Sequence, residues 1–393
     1  MISDKKDFNQ SSDILKLIIE HGIKDLAPVI ETILNEAMKI ERAQALKAFP
    51  YERSEHRMGY ANGFKEKNYN SRFGKLKVQI PQVRGMSFYP KSLEKGDRTE
   101  RALKLAIAEM YVQGVSTRKV AAITEELCGF DISSTQVSRC AALLDEELEK
   151  FRNRTLNGKY AYLYLDANYK KVRHNQTVID MATLTAIGVN QDGKREILGI
   201  SSRLSEGEVH WRDFLKSLVS RGLSGLELVI SDDHTGLKAA RRAIFPSVKW
   251  QRCQFHMAQN AQGYAPKKSM KEELGEAVRN IFHSSDYEMA QEQKRRIIEK
   301  YKTTAPEFVN WLENNIEEGL TCFSFPKQHR KRIRTTNVVE RLNREIKRRT
   351  RVAVLFPNVA SCERLITAVL QGFHEEWITG KQYLNMELLE RKT

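Results

Sequence analysis

The chain has 393 residues, with 65 Lys and Arg against 50 Asp and Glu, a formal net charge of +15 and a pI near 9.5. With 41% hydrophobic residues and only 9 Pro it is too apolar for wholesale disorder, and at roughly 150 residues per domain it predicts two or three domains. No stretch approaches the roughly 18 uninterrupted apolar residues of a membrane span, and the polar opening residues form no apolar signal core. A cytoplasmic location is therefore expected, and nucleic acid leads an anionic membrane surface as the polyanion that such a charge attracts. Five scattered cysteines, Cys128, Cys140, Cys253, Cys322 and Cys362, argue against a disulfide framework.

From Asp13 to about Phe49, apolar residues from Leu15 to Ile40 recur every three or four positions, which predicts helices, the second opened by Pro28. Tyr51 to Lys95 is rich in Gly, Asn, Arg and Lys and predicts one strand, Leu76 to Ile80, closed by Pro81. Its aromatics, Tyr60, Phe64, Tyr69, Phe73, Phe88 and Tyr89, interleave with charge. That pattern suits base stacking and backbone contacts, and a small irregular β module would look the same. Arg101 to Arg154 returns to helical spacing. Within it, Val115 to Arg139 predicts a helix-turn-helix: Ser116 caps the first helix, Gly129 permits the turn, and Ser133 or Ser134 caps the second. That second helix displays Thr135, Gln136 and Arg139, which can meet phosphates or base edges. An αα-hairpin with no DNA contact would have the same pattern.

From Lys159 to His256 the chain alternates between strand and helix patterns. Tyr160 to Leu165 predicts a strand ending at Asp166, Thr177 to Val189 a second, and Arg195 to Ser202 a third, with Asn190 to Gly193 as a hairpin turn. A helix (His210 to Arg221), an apolar strand (Leu226 to Ile230), a second helix (Gly236 to Phe245) and a last strand (Val248 to Phe255) follow. The order is β-β-β-α-β-α-β, and the continuous apolar run of the fourth strand predicts a central strand parallel to its neighbour. Met257 to about Phe325 is helical and charged. Between Lys327 and Arg351 eleven basic residues face only Glu340 and Glu345, a local +9. Val338, Val339, Leu342 and Ile346 recur there at helical spacing, so these charges ride on a packed helix starting near Asn337. A C-terminal helix is predicted from Ser361 to Trp377.

Two acids stand where strands of the α/β section give out, Asp166 and Asp232. If the first and fourth strands are neighbours, these carboxylates converge. A third acid, Glu340, lies on the basic helix, where no periodicity brings it to the same place. Phosphodiester hydrolysis or transfer gains from two divalent ions about 4 Å apart held by hard carboxylate oxygens, and three carboxylates suffice. Asp233 competes with Asp232, but successive strand residues face opposite sides. The alternatives are that Asp166 and Asp232 form turns, and that Glu340, three residues after Asn337, caps its own helix. On that helix Arg341, Arg344 and Arg348 fall at i, i+3 and i+7, a stripe suited to strand phosphates.

Residues 166–173 (DANYKKVR), 230–240 (ISDDHTGLKAA), 250–256 (WQRCQFH) and 334–350 (RTTNVVERLNREIKRRT) together resemble the Mutator-type transposases of bacterial insertion sequences, and the likeness extends over nearly the whole chain. The resemblance implies an α/β fold of RNase H-like type, a mixed sheet flanked by helices, with a helical insertion and mainly helical N-terminal DNA-binding domains. It implies an Asp, Asp, Glu triad falling on Asp166, Asp232 and Glu340 as catalytic and metal-holding residues, with two Mg²⁺ or Mn²⁺ ions. The expected divisions are a helical segment (1–50), a basic β/loop DNA-contact region (51–100), a helix-turn-helix-like domain (101–155), the core in two parts (156–256 and 331–393) and the insertion between them (257–330). Cys253 and His256 belong to the same signature. Zinc would need four ligands, and no partner pair with suitable spacing exists. On a strand Cys253 would pack inward, and His256, at its end, would lie near the active edge and help to place DNA or water.

The implied activity is binding of terminal inverted repeats, cleavage that frees a 3′-hydroxyl, and strand transfer into target DNA by a homodimer or larger assembly. A helix-turn-helix regulator without catalysis and a structure-specific metal nuclease are the competing readings; no phosphate-binding glycine loop is present.

Overall fold

The structure, a computed structural model, describes residues 14–22, 25–351 and 355–390. Asp13 and Ile23 of the first helical reading lie outside them. The chain divides into two compact units, Met1–Leu144 and Asp145–Thr393.

In the first unit a helical segment (α1, residues 14–21) precedes α2 (Ala27–Leu46), which has Pro28 in its first turn, where the missing N–H costs nothing. Two antiparallel strands follow, β1 (Tyr60–Ser71) and β2 (Gly74–Arg84). Met38, Tyr69, Leu76, Val78, Ile80 and Leu93 form the core between them and α2. The expected single strand is thus a two-stranded ribbon, and Pro81 lies within β2 instead of ending it. Pro81 faces Phe64, where the register shifts between Ala61 and Phe64, and a two-stranded ribbon leaves an edge that tolerates a residue without N–H. Then come α3 (Arg101–Val112), α4 (Thr117–Cys128) and α5 (Ser134–Ala141), packed around Leu103, Ile107, Val120, Phe130 and Val137. Ser116 caps α4 by accepting from the Lys119 N–H at 3.3 Å, Gly129 turns the chain at φ +67°, and Ser133 caps α5 in a reciprocal capping box with Gln136.

The second unit begins with α6 (Asp145–Asn153) and is built on five strands. These are β3 (Tyr160–His174), β4 (Thr177–Asn190), β5 (Arg195–Arg203), β6 (Leu228–Ser231) and β7 (Lys249–Arg252), in spatial order β5-β4-β3-β6-β7. The first three form an antiparallel meander, and β6 and β7 run parallel to β3, giving a mixed sheet. All four residues of β6 are buried, as its apolar run predicts. Helices α7 (Glu208–Ser220) and α8 (Thr235–Ile244) link the parallel strands; α7 buries Trp211, Phe214, Leu215 and Leu218 against Leu163, Leu165 and Leu184 of the sheet.

Two strand ends differ from expectation. β3 does not stop at Asp166 but continues to His174, because its hairpin partner β4 stays paired with it to the turn at Asn175 and Gln176, both with positive φ. β7 stops at Arg252, and Cys253 to His256 open a helix, α9 (Gln254–Ala261). After it run α10 (Lys271–Phe282), α11 (Tyr287–Tyr301), α12 (Pro306–Asn315) and α13 (Lys327–Ile333), with no strand in this stretch. The chain then forms α14 (Asn337–Thr350), α15 (Val359–Thr379) and the short α16 (Glu387–Glu390). Val338, Val339, Leu342 and Ile346 are all buried under α14. Among the described residues no helix is long and apolar enough to cross a membrane, and all five cysteines are unpaired.

Candidate active site

The sheet register brings the first two acids together. β3 and β6 pair as Tyr162 with Leu228, Leu163 with Val229 and Tyr164 with Ile230. Continued two residues, that register sets Asp166 beside Asp232, just where β6 ends and β3 loses its parallel neighbour. Asp166 is the first residue of β3 that is not fully buried. Burial, then the charge of Asp232, pushes its carboxyl from 3.8 up to about 7, against a hydrogen bond from the backbone of Ala167 and the charge of His256. Asp232 accepts from the backbone N–H of His234 at 3.2 Å. Neither acid has a Lys or Arg ion-pair partner among the described residues.

Asp233 is spent elsewhere: its two oxygens meet Lys238 and Arg252, each at 2.9 Å, so only one of the adjacent pair is free.

Glu340 reaches this end of the sheet through a tether that periodicity could not reveal. Cys253, fully buried, donates its backbone N–H to the Ser231 carbonyl at the end of β6. Its Sγ faces the N–H and hydroxyl of Thr336 at 3.4 and 3.3 Å, and Thr336 is the N-cap residue of α14. The helix carrying Glu340 is thereby anchored beside the end of β6, which Asp232 follows. No capping box forms between Asn337 and Glu340; the Glu340 carboxylate instead lies 3.5 Å from the Thr336 hydroxyl and 3.9 Å from His256 Nε2.

Cys253 and His256 lie on the N-terminal turn of α9, not on a strand, so both approach Glu340. The Cys253, His256 and Glu340 donor atoms lie within 4.8 Å of one another. Sγ is already engaged by Thr336, and no fourth Cys or His joins them among the described residues, so the group does not meet a closed zinc site's requirement. The Cys253 side chain first, then Glu340 and Asp232, raise His256 to about 9 against the effect of burial.

Three residues that sequence reasoning missed, Asn343, Glu206 and His234, complete the surroundings. Asn343 donates to Asp166 Oδ2 at 2.7 Å; its position three residues after Glu340 was a legible signal. Glu206, in the loop before α7, pairs with His234 at 3.1 Å, and burial above all raises its pKa. No sequence pattern marks that loop.

Arg341, Arg344 and Arg348 are all exposed on α14, and Arg348 pairs with Glu345 at 2.9 Å. In the first unit Thr135, Gln136 and Arg139 are exposed on α5, but the Gln136 carbonyl accepts from the Ser133 N–H at 2.7 Å, which leaves its amide NH₂ to donate outward. Of the interleaved aromatics Tyr69 is core, Phe88 and Tyr89 are half-buried, and Tyr60, Phe64 and Phe73 are exposed, each under an arginine: Arg57, Arg42 and Arg72 at 5.3, 4.7 and 5.9 Å.

Fold and site together define a mixed α/β protein with an acidic centre at the end of its parallel strands and a basic helix face beside it. The profile described as "Transposase, Mutator family" matches residues 3–380, and the chain belongs to that family. It is 50% identical over 370 residues to the transposase for insertion sequence element IS406 of Burkholderia multivorans, covering 94% of this chain and 95% of that one. It is 41% identical to the transposase for ISRM5 of Rhizobium meliloti, over 98% and 96% of the two chains. With the transposase for IS256 in transposon Tn4001 of Staphylococcus aureus it shares 39% identity, over 97% and 98%.

Proposed function

We propose that the chain is the transposase of a bacterial insertion sequence. It binds terminal inverted repeats, hydrolyses a phosphodiester at the element's end to free a 3′-hydroxyl, and joins that hydroxyl to target DNA by a second in-line displacement. The observation that carries this reading is the pair Asp166 and Asp232, side by side at the end of the mixed five-stranded sheet, with no Lys or Arg partner among the described residues. Two like charges so placed raise each other's cost unless a cation joins them, and hard oxygens suit Mg²⁺ or Mn²⁺. Asp166, Asp232 and Glu340 would hold two such ions, which when bound supply activation of the attacking oxygen and stabilisation of the leaving oxygen.

The chain's own groups do the rest. Asn343 holds the Asp166 carboxylate in place, and the α14 N-terminus favours the Glu340 charge. His256, protonated near neutral pH, places Glu340 and a strand phosphate. Arg341, Arg344 and Arg348 take phosphates along the exposed side of α14. In the first unit, α4 and α5 serve as a helix-turn-helix, with Thr135, Gln136 and Arg139 reading the repeat. Two or more copies act together on paired ends in the cytoplasm.

The test is incubation of the full chain with a candidate terminal repeat and Mg²⁺, wild type beside Asp166→Asn. Wild type should cut and join, and the variant should bind normally but lose roughly 10⁴-fold in cleavage, the scale on which removal of one essential group acts. Binding without cutting by wild type would favour a regulator, and cutting without joining a nuclease.

A further inference from the structure

Asn343 serves the acidic centre without carrying charge. It lies three residues after Glu340, so both side chains leave the same side of α14. Its Nδ2 donates to Asp166 Oδ2 at 2.7 Å, while its Oδ1 is shielded from solvent and has no hydrogen-bond partner among the described residues. The amide is oriented with its nitrogen on Asp166, the arrangement that an ionised, cation-holding carboxylate requires because it only accepts, and its oxygen is the atom left over. Asn190, in the β4–β5 turn, shows the ordinary case. Its oxygen accepts from the Lys194 N–H at 2.9 Å and its nitrogen donates to Glu196 at 2.8 Å, so nothing is left unused. A shielded acceptor without a donor destabilises the fold unless something electropositive reaches it.

We propose that Asn343 is a positioning residue for the divalent cation: Nδ2 fixes Asp166, and Oδ1 offers the cation or its bound water a neutral hard oxygen. Asn carbonyl oxygens are ordinary ligands of hard cations. A neutral donor here also adds no further repulsion to the Asp166 and Asp232 pair, which a fourth acid at this position would do. The assignment rests on the proposal that Asp166 holds such a cation.

The test measures Mn²⁺ binding to the DNA-free full chain by the paramagnetic resonance signal of free Mn²⁺, and separately the Mg²⁺ concentration for half-maximal cleavage of the repeat. Asn343→Ala should weaken Mn²⁺ binding roughly tenfold and raise the Mg²⁺ requirement by a similar factor, with DNA affinity unchanged, as expected when a group supporting a ligand is removed. Asn343→Leu keeps the bulk without polar atoms and should behave alike, so a folding defect from the smaller side chain does not obscure the result. A folded variant with wild-type Mn²⁺ affinity and Mg²⁺ requirement overturns the assignment. Asp166→Asn is run in parallel: if it cleaves like wild type, the proposed centre itself fails, whereas abolished cleavage there beside a normal Asn343→Leu removes only the role of Asn343.

Discussion

Asp232 and Asp233 are consecutive residues with opposite electrostatic fates. Asp233 and Glu318 share two cations, Lys238 and Arg252, at 2.7 to 3.3 Å, so two negative charges meet two positive ones. Asp232 faces Asp166, and no Lys or Arg pairs with either among the described residues. The first cluster is complete within the protein and fastens α8 to β7 and the helices that follow. The second sets two acids together without a Lys or Arg between them, and burial there raises the Asp166 carboxyl to about 7. On the proposed reading the two clusters differ in kind although both are acidic: one is structural, the other functional.

Removing Arg252 should bring out the structural side most strongly. Its side chain is only 3% exposed, and Arg252→Ala would strand two acids that are themselves about 30% and 26% exposed. Breaking a buried pair costs about 3 to 5 kcal/mol, and this partial exposure puts the expected loss near 3 kcal/mol by chemical denaturation. Cleavage per folded molecule should stay within a few-fold of wild type; a fully folded but inactive Arg252→Ala would blur the distinction between the clusters.

A second effect should emerge in the pH dependence of the metal-free protein. With the Asp166 carboxyl raised to about 7, the native state keeps a proton that the unfolded chain has released above 3.8. The unfolded state thus binds fewer protons, and stability falls as pH rises between about 4 and 7. His256, raised to about 9, contributes stability that is fully present below 6.5 and lost as pH rises through about 9. The thermal midpoint should decline across both ranges, Asp166→Asn should flatten the lower one, and Mg²⁺ should raise the midpoint more at high pH than at low. A midpoint that climbs steadily with pH contradicts the unpaired centre.

The least effect belongs to the basic face. Arg344→Ala with Arg348→Ala should weaken DNA binding and lower its salt dependence by roughly one unit of slope for each phosphate left without its cation. Arg348 already shares Glu345, so its share should be the lesser. Unchanged affinity at every salt concentration would remove α14 from the DNA path.

Much of this was readable in the sequence because periodicity is local. The apolar positions of α14 and α7, the order β-β-β-α-β-α-β and the caps of α4 and α5 all follow from spacing within a few turns. What was not readable depended on partners far along the chain. β3 runs past Asp166 only because β4 pairs with it to Asn175, and Cys253 opens a helix where its apolar flank suggested a strand. The anchoring of α14, with Glu340, at the end of β6 depends on the meeting of Cys253 with Thr336, which joins residues 83 positions apart. Glu206 sits in a loop, where no period operates.

The most direct test compares neighbours: Asp232→Asn and Asp233→Asn, assayed for Mg²⁺-dependent cleavage of the terminal repeat at equal folded concentration and equal DNA binding. Asp232→Asn should abolish cleavage, while Asp233→Asn should lower stability and retain cleavage once folded. Cleavage that survives in Asp232→Asn and vanishes in Asp233→Asn would contradict the division between a functional and a structural acid.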